Sequence, residues 1–529
     1  MAGSNRRELI KQGIVMGLGG LVISPVSKAA PDRPESAMAR GGAFGIHVVD
    51  AKTGRGVPLV ELRTVNDVRY YTDSAGYAAV ADPGFMNRKV YFNMSAPGYE
   101  HPADGFGYRG FAADIRPGGS IRVSIERVDI AERLYRTTGE GIYLDSVLLG
   151  HPSPIEHPLM NGDVMGQDSV LATVYRGKVH WFSGDTGRPS YPLGNFRTSG
   201  ATSELPGQGG LDPAVGVNLH YYTDAAGFCR PMCPLPGESG GVVWMGGLTV
   251  VPDRSGRMKM VALYSRRQGM GRLYEHGLAL WNDHKNFFQK HTVFPLEEKW
   301  RLPTGQASDY AHGGKNYRIF NPEFPTVRVE AILDAVADVS RYEGFSCLKP
   351  GTHFAGRKSR IHRRADGTAI WSWHRDTAPL SSAQEAELIA AGLIKPHEAH
   401  FQVTDAATGK SVRIAAGSFY FNHYLKKWVM IGCQVGGESF LGEVWCAAAD
   451  QPTGPWRKAV KVATHPHYSF YNPTQHPFFD QDHGRYIYFE GTYSVTFSGN
   501  THPVPRYDYN QLMYRLDLAD QRLEPIWKL

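Results

Sequence analysis

The chain has 529 residues, of which 42% are hydrophobic and 20% are charged, and its formal net charge is +6. This length predicts two to four domains, or one small domain joined to one large all-β domain. The ordinary hydrophobic fraction and a mean hydropathy of −0.34 exclude a polytopic membrane protein and, for most of the chain, intrinsic disorder. The 60 glycines, 34 prolines and 12% aromatic residues indicate many turns and strands, which favours an all-β fold.

Residues 1–30 have the layout of a twin-arginine signal peptide. The pair Arg6-Arg7 precedes an apolar run over residues 14–26, and small residues follow it. That run is too short to cross a bilayer comfortably, and no later segment is apolar enough. We therefore expect export through the twin-arginine pathway to the periplasm or beyond the cell, with no membrane span in the mature chain. An amphipathic first helix or a membrane anchor is the alternative. The segment carries about half of the net positive charge, so the mature chain gives no argument for a nucleic-acid partner.

The cysteine count predicts neither a disulfide framework nor a metal site. Five cysteines cannot all pair internally, although Cys229 and Cys233 could form one local disulfide in an oxidising compartment. The other three, Cys347, Cys433 and Cys446, are widely spaced. His465 and His467 are the nearest thing to a metal-binding pair. We expect no metal and no cofactor.

Residues 31–43 are rich in Pro, Arg, Ala and Gly and are typical of a linker. From 44 to 128 the chain alternates short apolar runs with turns, about seven strands in all, which is typical of a β-sandwich. The order V-D-A-K-T-G-R-G-V-P (49–58), T-D-S-A-G-Y (72–77) and A-P-G-Y (96–99) resembles carboxypeptidase-regulatory or transthyretin-like sandwiches. The resemblance implies a non-catalytic accessory module.

Residues 129–529 contain a recurring unit of two alternating strands around a tight polar turn. The five units are 171–183, 248–264, 359–373, 418–432 and 477–490. They predict the middle strands of a five-bladed β-propeller, with six or seven blades or a large irregular sandwich as alternatives. Apolar residues at helical spacing predict short helical insertions over 327–339 and 382–393. The predicted fold is thus all-β, a small sandwich followed by a propeller with a catalytic role.

Two aspartates flank the first hairpin. Asp168 precedes its first strand and Asp185 follows its second. Because the inner strands of a blade converge on the central channel, both carboxylates could face one pocket. Glycosidic cleavage needs such a pair, one to donate a proton and one to attack or to activate water. Turn-capping aspartates are the alternative, since they are common at strand ends.

The segments G-Q-D-S (166–169) and W-F-S-G-D-T (181–186), followed by Arg188 and Pro189, resemble the first blade of a group of five-bladed propellers that includes endo-D-arabinanases. The group is distantly similar to glycoside hydrolase family 43. The resemblance implies that Asp168 and Asp185 are the catalytic pair. The surrounding sequence departs from the D-arabinanases, so the resemblance does not imply a particular sugar. A second match, G-E-V-W (442–445) with D-Q-P-T-G-P-W (450–456), resembles the end of a glycosidase blade and supports the fold.

Further polar residues are candidates for the same channel. Glu490 ends the last predicted hairpin as Asp185 ends the first, and Glu443 is expected on a strand near Ser439 and Gly442, so either could be a third catalytic carboxylate. Candidate substrate-binding residues share a position near a strand end or a predicted channel: Arg188, Tyr222, Tyr471, His476 and Arg506. Packing or capping roles are the alternative for each of them.

The sequence therefore predicts an exported glycoside hydrolase that cleaves a polysaccharide or oligosaccharide. A polysaccharide lyase is the first alternative, with Tyr471 or His476 as base and Arg188 or Arg506 neutralising a uronic acid. A non-catalytic carbohydrate-binding or scaffolding propeller is the second. No Gly-rich phosphate-binding loop and no H-E-x-x-H motif occurs.

Overall fold

The computed structural model describes residues 42–238 and 240–528. The predicted signal peptide and most of the predicted linker lie outside these described residues, and export stays a prediction. Within them strands dominate and helices are short, which confirms the all-β prediction. No helix in the described ranges is long and apolar enough to cross a membrane.

Two four-stranded sheets between residues 44 and 127 face each other across one hydrophobic core. Alternating side chains of both sheets, among them Ile46, Leu62 and Phe92, form a single buried cluster, and full burial of each such side chain stabilises the fold by about 2 kcal/mol. In spatial order, the strands are Tyr77–Val80, Phe44–Asp50, Ser120–Arg127 and Tyr99–Glu100 in one sheet, and Arg69–Tyr71, Glu61–Thr64, Arg88–Ser95 and Gly110–Ile115 in the other.

Apart from one small three-stranded sheet, the remaining strands form five sheets of four to six strands, which are the blades of a β-propeller. The first strands of blades 1 and 2, 3 and 4, 4 and 5, and 5 and 1 contact each other, so they surround a central axis. From the inside outwards, the strands are Val170–Tyr175, Lys178–Ser183, Ser199–Glu204 and His220–Tyr221 (blade 1); Val242–Pro252, Met258–Arg267, Leu273–Asn282 and Phe287–Val293 (blade 2); Ser308–His312, Lys315–Phe320, Val327–Glu330, Glu343–Ser346 and Ser372–His374 (blade 3); Ile414–Asn422, Lys427–Gln434, Val444–Ala449, Lys458–Ala463, Val403–Asp405 and Ser411–Val412 (blade 4); and Ser469–Gln475, Tyr486–Ser494, Asn510–Asp517 and Glu132–Arg136 (blade 5).

The ring is closed by strands from opposite ends of the propeller sequence. Glu132–Arg136, which directly follows the sandwich, pairs antiparallel with Asn510–Asp517, with Leu512 opposite Arg136. All five residues of this closing strand are buried. The closing strand therefore ties the sandwich to the last blade covalently as well as by packing.

Three of the five predicted hairpins, 171–183, 248–264 and 418–432, are confirmed. The hairpin predicted over 359–373 is wrong, because Arg363 and Ala369 make only an isolated bridge there. The inner hairpin of blade 3 is instead 308–320, and its turn contains two glycines with positive φ, Gly313 and Gly314. The hairpin over 477–490 is also displaced. The inner strand lies earlier, at Ser469–Gln475, and residues 477–484 form 3₁₀ turns.

The helix predicted over 382–393 is confirmed as Ser382–Ala390, which begins with a capping box between Ser381 and Gln384. The helix predicted over 327–339 is confirmed only for Leu333–Val336, because Val327–Glu330 is a strand. Val327 and Val329 lie in a strand and pack into the core of blade 3, since β-branched residues fit a half-buried sheet. The other short helices are Leu144–Leu148 and Leu333–Val336, and the 3₁₀ turns are Val339–Arg341, Gly356–Lys358, Pro396–Glu398, Pro477–Phe479, Asp482–Gly484 and Gln521–Ile526.

The five cysteines are buried thiols, and no disulfide joins Cys229 to Cys233. Burial raises the pKa of both of these thiols to about 12. They are therefore protonated at neutral pH and behave as small core residues.

Candidate functional site

The two aspartates lie opposite each other at the open end of the inner hairpin of blade 1. Val170 pairs with Ser183 in the blade, and Gln167 pairs with Thr186 in a small sheet beyond it, made of Gly166–Gln167, Thr186–Arg188 and Tyr191–Asn195. Between these two pairs, the Asp168 N–H donates to the Asp185 carbonyl oxygen at 3.3 Å. Residues opposed in this way have Cβ atoms about 5 Å apart, so the sequence places both carboxylates at one rim of the propeller.

The Asp168 carboxylate is held by blade 5. Its Oδ2 atom accepts hydrogen bonds from the hydroxyls of Tyr509 at 2.8 Å and of Tyr471 at 3.4 Å. On the other side it lies over Gly184, where an added Cβ would be 2.1 Å from Asp168 Oδ1. A glycine is therefore required at this close approach, and the carboxylate has one defined orientation.

The Asp185 carboxylate is held by blade 2. Its Oδ1 atom accepts a hydrogen bond from the indole Nε1 of Trp244 at 3.0 Å, and the residue is only 3% exposed. Asp168 is more accessible than Asp185. The pair thus combines one half-buried and one buried carboxylate, each with a donor from a different neighbouring blade.

The phenol of Tyr509 lies close enough to both carboxylates for each of them to influence its pKa. The pKa of Tyr509 is raised well above its usual value, first by burial and then by the negative charges of Asp168 and Asp185. The phenol therefore stays protonated at neutral pH and remains a hydrogen-bond donor to Asp168.

Strained backbone supports this arrangement. Tyr509, Ser169 and Asn472 have φ of 63°, 45° and 51°, in the left-handed region that costs a non-glycine residue about 1 kcal/mol or more. The Asn472 side chain donates to Ser169 Oγ at 2.7 Å, and the Ser169 N–H donates to Thr492 Oγ1 at 2.9 Å. These contacts join the beginning of the inner strand of blade 1 to the first and second strands of blade 5.

Glu490 and His476 lie elsewhere, in the interior between blades 5 and 1. They are 1% and 0% exposed, and His476 Nε2 lies 2.8 Å from Glu490 Oε1. The ring of Trp181 from blade 1 packs edge-on against His476 at 5.0 Å. The predicted equivalence of Glu490 with Asp185 is wrong, because the strand Tyr486–Ser494 continues for four residues beyond Glu490, whereas Asp185 follows the end of its strand.

Glu443 immediately precedes the strand Val444–Ala449 of blade 4 and is 2% exposed. Its Oε1 atom accepts hydrogen bonds from the N–H groups of Glu438 and Ser439, while Oε2 has no hydrogen-bond partner among the described residues. Burial raises the pKa of this carboxyl above its usual value.

Of the predicted substrate-binding residues, Tyr471 and His476 lie as described above. Arg188 is exposed and its guanidinium lies over the ring of Phe228 at 5.3 Å. Tyr222 packs near Trp281, and Arg506 forms an ion pair with Glu140 at 3.1 Å.

Tyr509 and Trp244 are the site residues whose roles sequence reasoning missed. For Tyr509, the sequence signal is its place in the aromatic, polar segment Tyr507-Asp508-Tyr509-Asn510 before the last propeller strand. For Trp244, the only signal is that it is one of several tryptophans.

No group of three or more His, Cys, Asp or Glu suited to a metal occurs in residues 42–238 and 240–528. Both ring nitrogens of His465 are hydrogen-bonded, one to the Gly442 carbonyl oxygen and one to the Tyr514 hydroxyl, so this residue does not pair with His467 as a metal ligand.

No protein-family model and no curated protein matches the chain. Among solved structures, the GH43_1 enzyme from Xanthomonas citri complexed with xylose is similar over 68% of this chain and 90% of its own, with 11% identity and a TM-score of 0.33. The exo-β-1,3-galactanase from Phanerochaete chrysosporium with galactose is similar over 73% of this chain and 65% of its own, with 10% identity and a TM-score of 0.34.

Proposed function

We propose that the protein is a glycoside hydrolase that cleaves a polysaccharide or oligosaccharide with Asp168 and Asp185. The observation that carries this proposal is the opposed pair at the rim of blade 1. Each carboxylate is oriented by a donor from a neighbouring blade, Tyr509 for Asp168 and Trp244 for Asp185. Glycoside hydrolysis uses two carboxyl groups on opposite sides of the scissile bond, and most of their effect depends on such fixed positions.

The two aspartates have different surroundings, which supports different roles. Asp168 accepts two hydroxyl hydrogen bonds on one oxygen, and such bonds stabilise a carboxylate that must be ionised to act as nucleophile or base. Asp185 is nearly sealed from solvent, which suits a group that carries the proton for the leaving oxygen. Glu443, a buried carboxyl of blade 4 whose Oε2 has no hydrogen-bond partner among the described residues, stays a candidate third carboxylate.

An exposed aromatic ring beside the pair supports a sugar substrate. Phe497 is 50% exposed and packs edge-on against Tyr471 at 5.5 Å. Its φ of 69° is unfavourable for a bulky residue. An aromatic face offers apolar area to the C–H side of a sugar ring, so we assign Phe497 to substrate stacking.

The experiment is a screen of the purified protein against D-arabinan, L-arabinan, rhamnogalacturonan and uronic-acid gums. New reducing ends and the absorbance of unsaturated products are measured together. The matched variants are Asp168→Asn, Asp185→Asn and Glu490→Gln. We expect reducing ends without new absorbance, lost at least 100-fold in the two aspartate variants and retained in the glutamine variant.

The same experiment tests the alternatives. Absorbance that survives in both aspartate variants would overturn the hydrolase proposal in favour of a lyase. Two of the four groups named for a lyase have partners of their own, since Arg506 pairs with Glu140 and His476 is buried against Glu490. Binding of one polymer without turnover by the wild type would overturn it in favour of a carbohydrate-binding propeller.

A further inference from the structure

We propose that the β-sandwich positions the carboxylate site, with Tyr507 as the residue that connects the two. This inference rests on the proposed function for its kinetic consequence but not for its structural content. Tyr507 is anchored in the sandwich, and Tyr509, two residues later, donates to Asp168. The segment 504–510, which we call the tyrosine loop, therefore contacts the sandwich and the rim of blade 1 at the same time.

The anchor of the loop is a hydroxyl inserted into the sandwich backbone. The Tyr507 hydroxyl donates to the carbonyl oxygen of Thr72 at 2.5 Å and accepts from the N–H of Leu59 at 3.1 Å. Tyr507 is 3% exposed and Leu59 is 2% exposed. The Leu59 N–H also donates to the Thr72 carbonyl oxygen at 3.1 Å, so loss of the hydroxyl would weaken a three-membered hydrogen-bond cluster and leave a buried gap.

The loop is short and stiff between its two contacts. Arg506 and Tyr509 both have φ of 63°, which restricts their backbone. Between them, Asp508 Oδ1 accepts from the N–H of Val495 at 2.8 Å. The Tyr509 N–H donates to Tyr493 and its carbonyl accepts from Gln167, both at 2.7 Å. A displacement of Tyr507 is thus transmitted to Tyr509 through one fixed residue.

The closing strand holds the other side of the anchor. The Arg136 guanidinium lies over the Tyr507 ring at 5.1 Å and donates to the carbonyl oxygen of Arg506. Buried Arg133 donates to the carbonyl oxygens of Pro58 and Pro97, both in the sandwich. The sandwich is therefore docked through buried polar contacts in the region of the tyrosine loop, whereas a freely tethered module would not need them.

The test uses the full-length protein with Tyr507→Phe, which removes the hydroxyl but keeps the ring under Arg136. The control is Arg55→Met, which removes a different sandwich contact, from the Arg55 guanidinium to the carbonyl oxygen of Leu134 at 3.2 Å. Each is measured alone, and Tyr507→Phe is also combined with Tyr509→Phe. A 3-fluorotyrosine at position 509 reports its surroundings by ¹⁹F NMR without any need for activity.

We expect Tyr507→Phe to lower kcat on the order of 10-fold with little change in KM. The double variant should be no slower than Tyr509→Phe alone, because both remove one positioned donor. The ¹⁹F resonance should shift in Tyr507→Phe and stay in place in Arg55→Met. An unmoved resonance in Tyr507→Phe, or additive losses in the double variant, would overturn the inference. If no substrate is ever cleaved, the proposed function fails, while the NMR result still decides the coupling.

Discussion

Two acid-containing pairs lie within the same pair of blades and have opposite surroundings. Asp168 and Asp185 lie at the rim, each oriented by a side chain from a neighbouring blade. Glu490 and His476 lie in the interior and bond mainly to each other. The difference follows from the strands, since Asp185 follows the end of its strand and Glu490 is in the middle of one. Asp168, before its strand begins, is partly exposed and can meet a ligand, whereas Glu490, within a middle strand, packs between blades.

The interior pair also differs from the rim pair in that it contains buried polar atoms without a hydrogen-bond partner, which destabilises the folded state. Glu490 Oε2 and His476 Nδ1 are buried without a hydrogen-bond partner among the described residues, beside a cavity of about 10 Å³ that Glu490 and Gln511 line. Such groups are expensive to bury, so they depend strongly on their one mutual contact. We therefore expect the interior pair to control stability and the rim pair to control turnover.

The largest effect on stability is expected from Glu490→Ala. Removal of one partner leaves His476 buried alone and opens a cavity, which should lower the free energy of unfolding by about 3 kcal/mol. Chemical denaturation measures this change. The matched control is Asp168→Ala at the rim, which should change the free energy of unfolding by less than about 1 kcal/mol. Equal losses in the two variants would break the distinction between the pairs.

Substitution of two glycines compares the effect of an added methyl group at the rim with its effect in the interior. In Gly184→Ala the new Cβ would lie 2.1 Å from Asp168 Oδ1, and in Gly491→Ala it would lie 2.5 Å from the ring of buried Phe470. The first should lower kcat/KM by about 30-fold, because the carboxylate must move. The second should lower the free energy of unfolding by about 2 kcal/mol. Steady-state kinetics and denaturation of both variants check the pattern, and a kinetic defect confined to Gly491→Ala would contradict it.

A second buried histidine, His465, which packs against Phe470 of blade 5, should make the stability of this interior depend on pH. Burial lowers the pKa of His465 from 6.5 to about 3. The unfolded chain therefore takes up a proton near pH 6.5 that the folded chain takes up only near pH 3. The stability from this group is complete above pH 6.5 and is lost as the pH falls, by up to about 1.4 kcal/mol per pH unit.

His465→Gln should remove this slope between pH 6.5 and 4.5. The measurement is the difference in unfolding free energy between wild type and variant at each pH, which cancels the contributions of other groups. A difference that stays constant with pH would contradict the assigned cause.

The smallest effect is expected from Tyr471→Phe. Its hydroxyl lies 3.4 Å from Asp168 Oδ2, whereas that of Tyr509 lies at 2.8 Å, so it contributes less to the orientation of the carboxylate. We expect kcat to fall about 3-fold in Tyr471→Phe and more in Tyr509→Phe. The two variants are compared under identical conditions, and a larger loss in Tyr471→Phe would reverse the assignment of the principal donor.

The sequence predicted what is local in this molecule. Asp168 and Asp185 could be paired because only one hairpin separates them. The helix after Ser381 could be predicted because its capping residues are neighbours in the sequence. Tyr509 and Trp244 could not be assigned, since their contacts with the aspartates depend on the closure of the ring and on the packing of neighbouring blades. Apolar spacing predicted the helix over 327–339 too long, because Val327 and Val329 satisfy strand alternation as well as helical spacing.

In the proposed mechanism, the rim pair reacts and the interior pair does not. The most direct measurement is kcat for Asp168→Asn and for Glu490→Gln on the same substrate, each corrected for its folded fraction at a temperature where both are folded. We predict a loss of at least 100-fold for Asp168→Asn and less than 10-fold for Glu490→Gln. A loss confined to Glu490→Gln would contradict the account and place the chemistry in the interior.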